Sequence, residues 1–393
     1  MTDPITRREL LRRAAVGGAV LSVPSLLAAC GGDGGIEGQA GQDTEPTTSV
    51  QRKLAKKLVF ANWPFYIDVS ENGKRHPTLD QFTKKTGVKV RYIEEVNDNE
   101  EWFGKYQAQL ARGDDIGRDI VVLTDWMAAR MLRLGYVEKL DKEAIPNSKN
   151  LVANLQSPGW DPNRDYSLPW QSGLTGIAWN RKLTGGPITT MDQLLTDPKL
   201  KGKVTLLTEM PDTVGVTMAA NGDDPEKVSP EAFSRAIDTI QNAVDSGQIR
   251  RFTGNDYTDD LIAENVWAAL AWSGDIVSTV KPEKPEVEFS VIKTKSHIWT
   301  DNMLIPKQGD VFTASTFMNF VYEPRVAAQI EANVYYICPV EGAKEEIAKI
   351  DRSAARNELI FPSEETRGNT FIFDAEAADN PDFKEQFQAV VGA

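Results

Sequence analysis

The chain is poor in the residues that build staples and metal centres. It has 393 residues but only two cysteines, Cys30 and Cys338, and two histidines, His76 and His297. With Cys30 accounted for separately below, no intramolecular disulfide is expected. Two distant histidines without ligand spacing supply neither a zinc site nor a Ser-His-Asp machine. A Gly-rich phosphate loop, a Gly-x-Ser-x-Gly elbow and a His-Glu-x-x-His pair are all missing. Ser290-Val291-Ile292-Lys293 has Ser-x-x-Lys spacing, but it lies in an alternating, strand-like run that does not bring the two side chains to one face. An enzyme is therefore not expected, and no cofactor or metal is implied. Positive charge is also scarce: the net charge is −13, and −15 once residues 1–29 are set aside. This argues against nucleic-acid binding, which needs a basic footprint. An acidic balance is compatible with a cationic ligand.

What remains is an ordinary globular composition, 41% hydrophobic and 26% charged, long enough for two domains. The N-terminus is the exception. Thr6-Arg7-Arg8-Glu9-Leu10-Leu11-Arg12 resembles a twin-arginine export signal. The 16 residues from Ala14 to Ala29 are mildly apolar and interrupted by Gly17, Gly18 and Pro24. A membrane-spanning helix needs about 20 residues. The stretch ends in Leu27-Ala28-Ala29-Cys30, which resembles a bacterial lipobox. Residues 1–29 are thus expected to be a signal, Cys30 the lipidated mature N-terminus, and 30–56 a flexible tether. Twenty Gly- and Thr-rich residues reach about 25 Å, which would keep the folded body near a membrane face.

From Lys57 onward, strand-like runs alternate with helical ones, and this order predicts a parallel sheet covered by helices. Thr78 is expected to cap a helix that stops at Gly87. A strand is expected at 176–180, after a change of domain near Tyr166–Trp170. Separate strands are expected at 296–298 and 303–306. Val334-Tyr335-Tyr336-Ile337 reads as a packed crossover strand.

Four runs read as strands that end in a tryptophan with an acid nearby: Trp63 with Asp68, Trp126 with Asp125, Trp272 with Asp275, and Trp299 with Asp301. In open α/β sheets, ligands bind in the crevice at the strands' carboxyl ends. An indole face attracts a cation and a carboxylate neutralises it. The repeated pair therefore points to a crevice for an organic ammonium ion. A polyamine needs aromatic walls for its methylenes and a carboxylate for each end. Trp63, Tyr66, Trp126, Trp272 and Trp299 are candidate walls, and Glu209, Asp212, Asp275 and Asp301 are candidate anchors. Thr124 is a candidate acceptor for one more ammonium proton. Glu209 and Asp212 share one loop, and one of the two is expected to face inward.

The order of these motifs resembles the spermidine/putrescine-binding proteins of bacterial ABC importers over roughly residues 57–340. The matching segments are Asn62-Trp63-Pro64-Phe65-Tyr66, residues 79–90, Asp119-Ile120-Val121-Val122, residues 161–169, Trp272-Ser273-Gly274-Asp275 and Trp299-Thr300-Asp301. The resemblance implies a two-domain, α/β, periplasmic-binding-protein-like fold of type II with the ligand in the interdomain cleft. Domain 1 would be 57–172 plus 302–340, and domain 2 would be 173–301 plus 341–393. It implies ligand contacts from Trp63, Tyr66, Thr124, Trp126, Trp272, Asp275, Trp299 and Asp301. It also implies a monomer that hands polyamine to membrane permease subunits. Pro64 stands where the family has a small polar residue, and the acidic pair at Glu209 and Asp212 is shifted. The adjacent tyrosines 335 and 336 suit a ferric site as an alternative, with Tyr336 the one expected to line a cleft in either case. A sugar is the other alternative, but its loops would carry more amide and basic partners.

Overall fold

The computed structural model describes residues 52–70 and 73–392. The export signal, Cys30 and most of the tether lie outside the described residues. The described residues pack as one unit.

The first part of the chain builds one wing of a sheet. Strand β1 (Lys57–Asn62) leads to helix α1 (Pro77–Thr86), edge strand β2 (Lys89–Glu94), helix α2 (Asn99–Ala111), strand β3 (Ile120–Thr124) and helix α3 (Asp125–Arg133). The run Ile120-Val121-Val122-Leu123 is fully buried, as expected for a strand covered on both faces. In β2 the exposed Lys89 and Arg91 alternate with half-buried residues, which suits a sheet edge. Helix α1 is capped differently from the expectation. Thr78 lies inside the helix, and the Asp68 carboxylate accepts its backbone N–H at 3.0 Å. Gly87 ends the helix at φ 79°, a left-handed conformation that glycine adopts without strain.

The middle of the chain builds the second wing. It comprises β4 (Ser167–Asn180), β5 (Val204–Leu207), α4 (Met210–Asn221), α5 (Pro230–Asp245), β6 (Ile249–Thr253), α6 (Tyr257–Ile262), β7 (Ala268–Trp272), β8 (Val287–Ser290) and β9 (Ser296–Leu304). Helices α7 (Val311–Val321) and α8 (Pro324–Val334) follow. The short β10 (Thr370–Phe371), α10 (Pro381–Val391) and, before it, α9 (Ala375–Asp379) close the chain. Among the described residues, no helix is long and apolar enough to cross a membrane.

The strand order is β2-β1-β3-β9-β4-β7-β5-β6, with β10 beside β9 and β8 beside β4. Parallel pairing joins β1 with β2 and β3, and β5 with β6 and β7. The sheet as a whole is mixed, because β9 runs antiparallel to both β3 and β4, and β4 antiparallel to β7. The all-parallel expectation fails at these two long strands, which both wings share.

Both long strands were expected in pieces. Strand β4 runs unbroken through Pro169, which a register shift between Pro169 and Gln171 accommodates. The carbonyl left at Pro169 accepts the Tyr322 hydroxyl at 2.6 Å. Strand β9 runs through Thr300-Asp301-Asn302, whose polarity suggests a turn. All three are buried, and each is hydrogen-bonded: Thr300 with Ser172, Asp301 with Thr124 and Tyr66, and Asn302 with Arg164 and Asp125. The expected strand at 334–337 is instead a helix end. Tyr335 closes α8 at φ 58°, and a single bridge joins Ile337 to Ser172.

Candidate functional site

A narrow cavity opens where β1, β3 and β7 end and β9 passes between the wings. The first wing contributes Trp63, Pro64, Tyr66 and Thr124. The second contributes Glu209, Asp212, Asn255, Trp272 and Asp275. Trp299 and Asp301 come from β9, and Tyr336 from the segment after α8.

Local structure explains how each side chain arrives. Trp63 follows β1 directly; Asn62 Oδ1 accepts its backbone N–H at 2.9 Å, and its indole N–H donates to the Val122 carbonyl at 3.1 Å. Trp299 and Asp301 are two apart in β9, so both face the same side of the sheet. They lie in mid-strand and not at a strand end. Thr124 pairs with Asp301 in the antiparallel ladder of β3 and β9. Glu209 stands at the N-cap position of α4 without a side-chain bond to the helix, Asp212 lies in its first turn, and both residues line the cavity. The expectation that only one would turn inward does not hold.

Five rings form a continuous wall. Trp63 meets Trp272 edge-on at 5.7 Å, Trp272 meets Trp299 at 6.3 Å, Trp299 meets Tyr336 at 5.7 Å, and Tyr336 meets Tyr66 at 4.9 Å. Two glycines let these rings lie on backbone. A Cβ at Gly173 would come within 2.3 Å of the Trp299 ring, and one at Gly274 within 2.3 Å of the Tyr336 ring.

The carboxylates are buried and held. Asp301 accepts from the Thr124 hydroxyl at 2.8 Å and the Tyr66 hydroxyl at 2.9 Å. Burial nevertheless pushes its pKa up to about 7 against those two hydrogen bonds. Asp275 accepts from Tyr336 at 2.7 Å, Tyr257 at 2.7 Å and Asn255 at 2.9 Å, and burial still raises it. Glu209 Oε1 accepts from the backbone and side-chain nitrogens of Asn99 at 2.7 and 2.9 Å. Burial, then the neighbouring Asp98 charge, push it well above the usual range. Asp212 Oδ1 is bonded by the Thr175 hydroxyl and lies 3.1 Å from His297 Nδ1. No Lys, Arg or His is among the described residues that line the cavity.

Ten of the eleven residues expected to contact a ligand therefore line one space, and Trp126 does not. It sits in the first turn of α3 and borders two neighbouring clefts, with the Arg130 guanidinium 5.1 Å from its ring. Thr124 has a further part beside its expected one. Its oxygen accepts from Asn99 at 2.8 Å while its proton goes to Asp301, so it orients the carboxylate. The tyrosine pair splits: Tyr336 lines the cavity, whereas the Tyr335 hydroxyl lies 3.4 Å from Asp351. Asn255 was missed. It follows β6 by two residues, so the strand-end pattern marks it without help from an aromatic. Thr175, His297 and Tyr257, which hold the carboxylates from behind, carry no local signal in the sequence.

Comparison with known proteins adds a family. A family model described as bacterial extracellular solute-binding protein matches residues 78–351. The spermidine/putrescine-binding periplasmic protein 1 of Haemophilus influenzae is 24% identical over 338 residues, covering 86% of this chain and 91% of that protein. Among solved structures, the spermidine/putrescine ABC transporter substrate-binding protein PotD of Streptococcus pneumoniae superposes with a TM-score of 0.67 at 24% identity, covering 86% of this chain and all of that one. The TpPotD lipoprotein of Treponema pallidum superposes at 0.71 with 20% identity, again over 86% of this chain and all of the other. The fold is that of the periplasmic binding proteins, and the chain belongs to the bacterial extracellular solute-binding protein family.

Proposed function

We propose that this protein captures linear polyamines, spermidine or putrescine, outside the cytoplasm and delivers them to the permease of an ABC importer. One observation carries the reading: four buried carboxylates surround a cavity walled by aromatic rings, with no basic side chain among the described residues lining it. Burying a charge without a partner is costly. A ligand that brings its own ammonium groups removes that cost. Its methylenes then lie against the rings, where a desolvated cation–π contact contributes about 2 kcal/mol. The names of the relatives agree with this reading.

The ligand sits between two domains, 57–172 plus 302–340 and 173–301 plus 341–393, which close around it. Contacts to both sides favour the closed form that a permease reads. The protein performs no covalent chemistry, and ATP is hydrolysed by another subunit. It acts as a monomer, exported through its twin-arginine-like signal and anchored by lipid on Cys30.

Titration calorimetry with putrescine, cadaverine, spermidine and spermine, against maltose and ferric citrate, tests the reading. Heat from at least one polyamine and none from the other two is expected. Binding of maltose or ferric citrate alone would overturn it.

A further inference from the structure

The C-terminal segment is rooted in the second wing. Phe383 stacks on Phe233 of α5 at 4.1 Å, and Phe387 meets Phe252 of β6 edge-on at 6.1 Å. The backbone N–H of Asp374 donates to the Pro225 carbonyl, and its carboxylate accepts from Val228. The same segment reaches across to the first wing with charge. Asp379 Oδ1 lies 2.5 Å from Arg130 Nε, and its other oxygen pairs with Arg133. Lys384 Nζ lies 3.1 Å from Glu100 and 3.0 Å from Asp379. Glu100 in turn holds both terminal nitrogens of Arg130 at 2.8 Å.

Two features set this network apart from ordinary surface pairs. Arg130 is buried, with its guanidinium 5.1 Å from the Trp126 ring and 5.2 Å from the Phe103 ring. The network also borders the larger neighbouring cavity. Glu100 and Trp126 from the first wing and Lys384 and Phe387 from the C-terminal segment face each other across that space, whose inner end is Glu209 of the candidate site. It therefore spans the cleft at one mouth.

We infer that α9 and α10 form a strap, and that the Glu100–Arg130–Asp379–Lys384 network is the clasp by which it holds the cleft closed. The inference rests on the reading of this protein as a cleft that closes around a ligand. In the closed form the clasp is assembled. When the wings separate, Glu100 and Arg130 leave with one and Asp379 and Lys384 with the other. Such contacts act on dissociation more than on encounter. The paired charges lie within 3.1 Å of one another and Arg130 is buried, so salt screens the clasp only in part, through its exposed members.

The test uses the full-length protein, Lys384→Met, Glu100→Gln, the double variant and the conservative Lys384→Arg. Stopped-flow dissociation of spermidine should be about tenfold faster in each single neutral variant, with an unchanged association rate. The double variant should be no faster than the worse single one, and Lys384→Arg should approach wild type. Between 0.05 and about 0.5 M salt, dissociation should accelerate more in wild type than in the neutral variants, which lack the clasp's charge pairs. Dissociation rates unmoved by substitution would overturn the clasp. If wild type binds no polyamine, the functional reading fails separately. Small-angle scattering of the ligand-free protein then decides the clasp: a larger radius of gyration in Lys384→Met supports it, and identical profiles reject it.

Discussion

The hydroxyl of Tyr66 donates to Asp301 Oδ2 across 2.9 Å, although 235 positions separate the two in sequence. Thr124 holds the other oxygen of the same carboxylate. Asp301 is thus fixed from the turn after β1 and from the end of β3 while its charge is disfavoured by burial, an anchor prepared for a cation. Asp301→Asn should weaken spermidine binding by more than tenfold, since losing one partner of a desolvated charge pair costs about 2–5 kcal/mol. The melting temperature of the ligand-free protein should not fall. Calorimetry and thermal scanning check both, and undiminished affinity would remove Asp301 from the site.

The raised pKa of Asp301, about 7, also sets a pH dependence. An aspartate in the unfolded chain titrates near 3.9, roughly. Between those values the folded protein binds the extra proton, so stability of the ligand-free form is greatest below about pH 4 for this group and is lost as pH rises through 7. Ligand binding runs the other way, because the cation needs the ionised carboxylate. Polyamine affinity should increase from pH 6 to 8, and binding at pH 6.5 should release protons. Titrations in two buffers of different ionisation heat measure that release; equal heats would count against it.

Gly274 should be intolerant of even a methyl group. The Tyr336 ring occupies the place of its Cβ, and Tyr336 is the donor to Asp275 Oδ1. Gly274→Ala should displace that ring and reduce polyamine affinity at least about tenfold, the loss of roughly one hydrogen bond to a charged group. Fluorescence titration would show it. Gly159→Ala, where nothing lies within 4 Å of the added carbon, serves as the control.

Glu209 and Asp212 should differ in what they read. Glu209 stands at the junction of the candidate site and the larger cavity beside it, whereas Asp212 is tied back to Thr175 and His297. Glu209→Gln should harm spermidine more than putrescine, and Asp212→Asn should harm both alike. An unchanged spermidine-to-putrescine ratio in Glu209→Gln would show that this carboxylate does not sense ligand length.

Cys30→Ser should leave the protein unprocessed or release it from the membrane fraction. Fractionation followed by mass determination of the N-terminus checks this, and a mature mutant retained on membranes would end the lipid-anchor reading.

The sequence makes some of this architecture legible and hides the rest for physical reasons. Apolar strands that stop at Trp63, Thr124 and Trp272 mark the cavity because parallel strands deliver their carboxyl ends to one side. Trp299 and Asp301 are found by the same pattern for a different reason, since they reach the cavity from mid-strand. Strand β9 was read as two pieces because its buried polar residues are satisfied only by distant partners, Ser172, Tyr66, Thr124 and Arg164, which local patterning does not reveal. Trp126 fits the strand-end pattern but turns outward in the first helical turn. The carboxylate holders Thr175, His297 and Tyr257 become visible only when the ladders of β4, β7 and β9 are known.

The placement of β9 between β3 and β4 has a consequence for synthesis. Val121 pairs with Leu304, and Ser167 pairs with that same residue from the other side. Until the ribosome has passed residue 304, two finished strands each expose an unpaired edge of the kind that recruits foreign strands. Such distant pairings are slow to form. The centre therefore cannot close until residue 304 exists, and both edges stay open to chaperones while residues 181–303 are made.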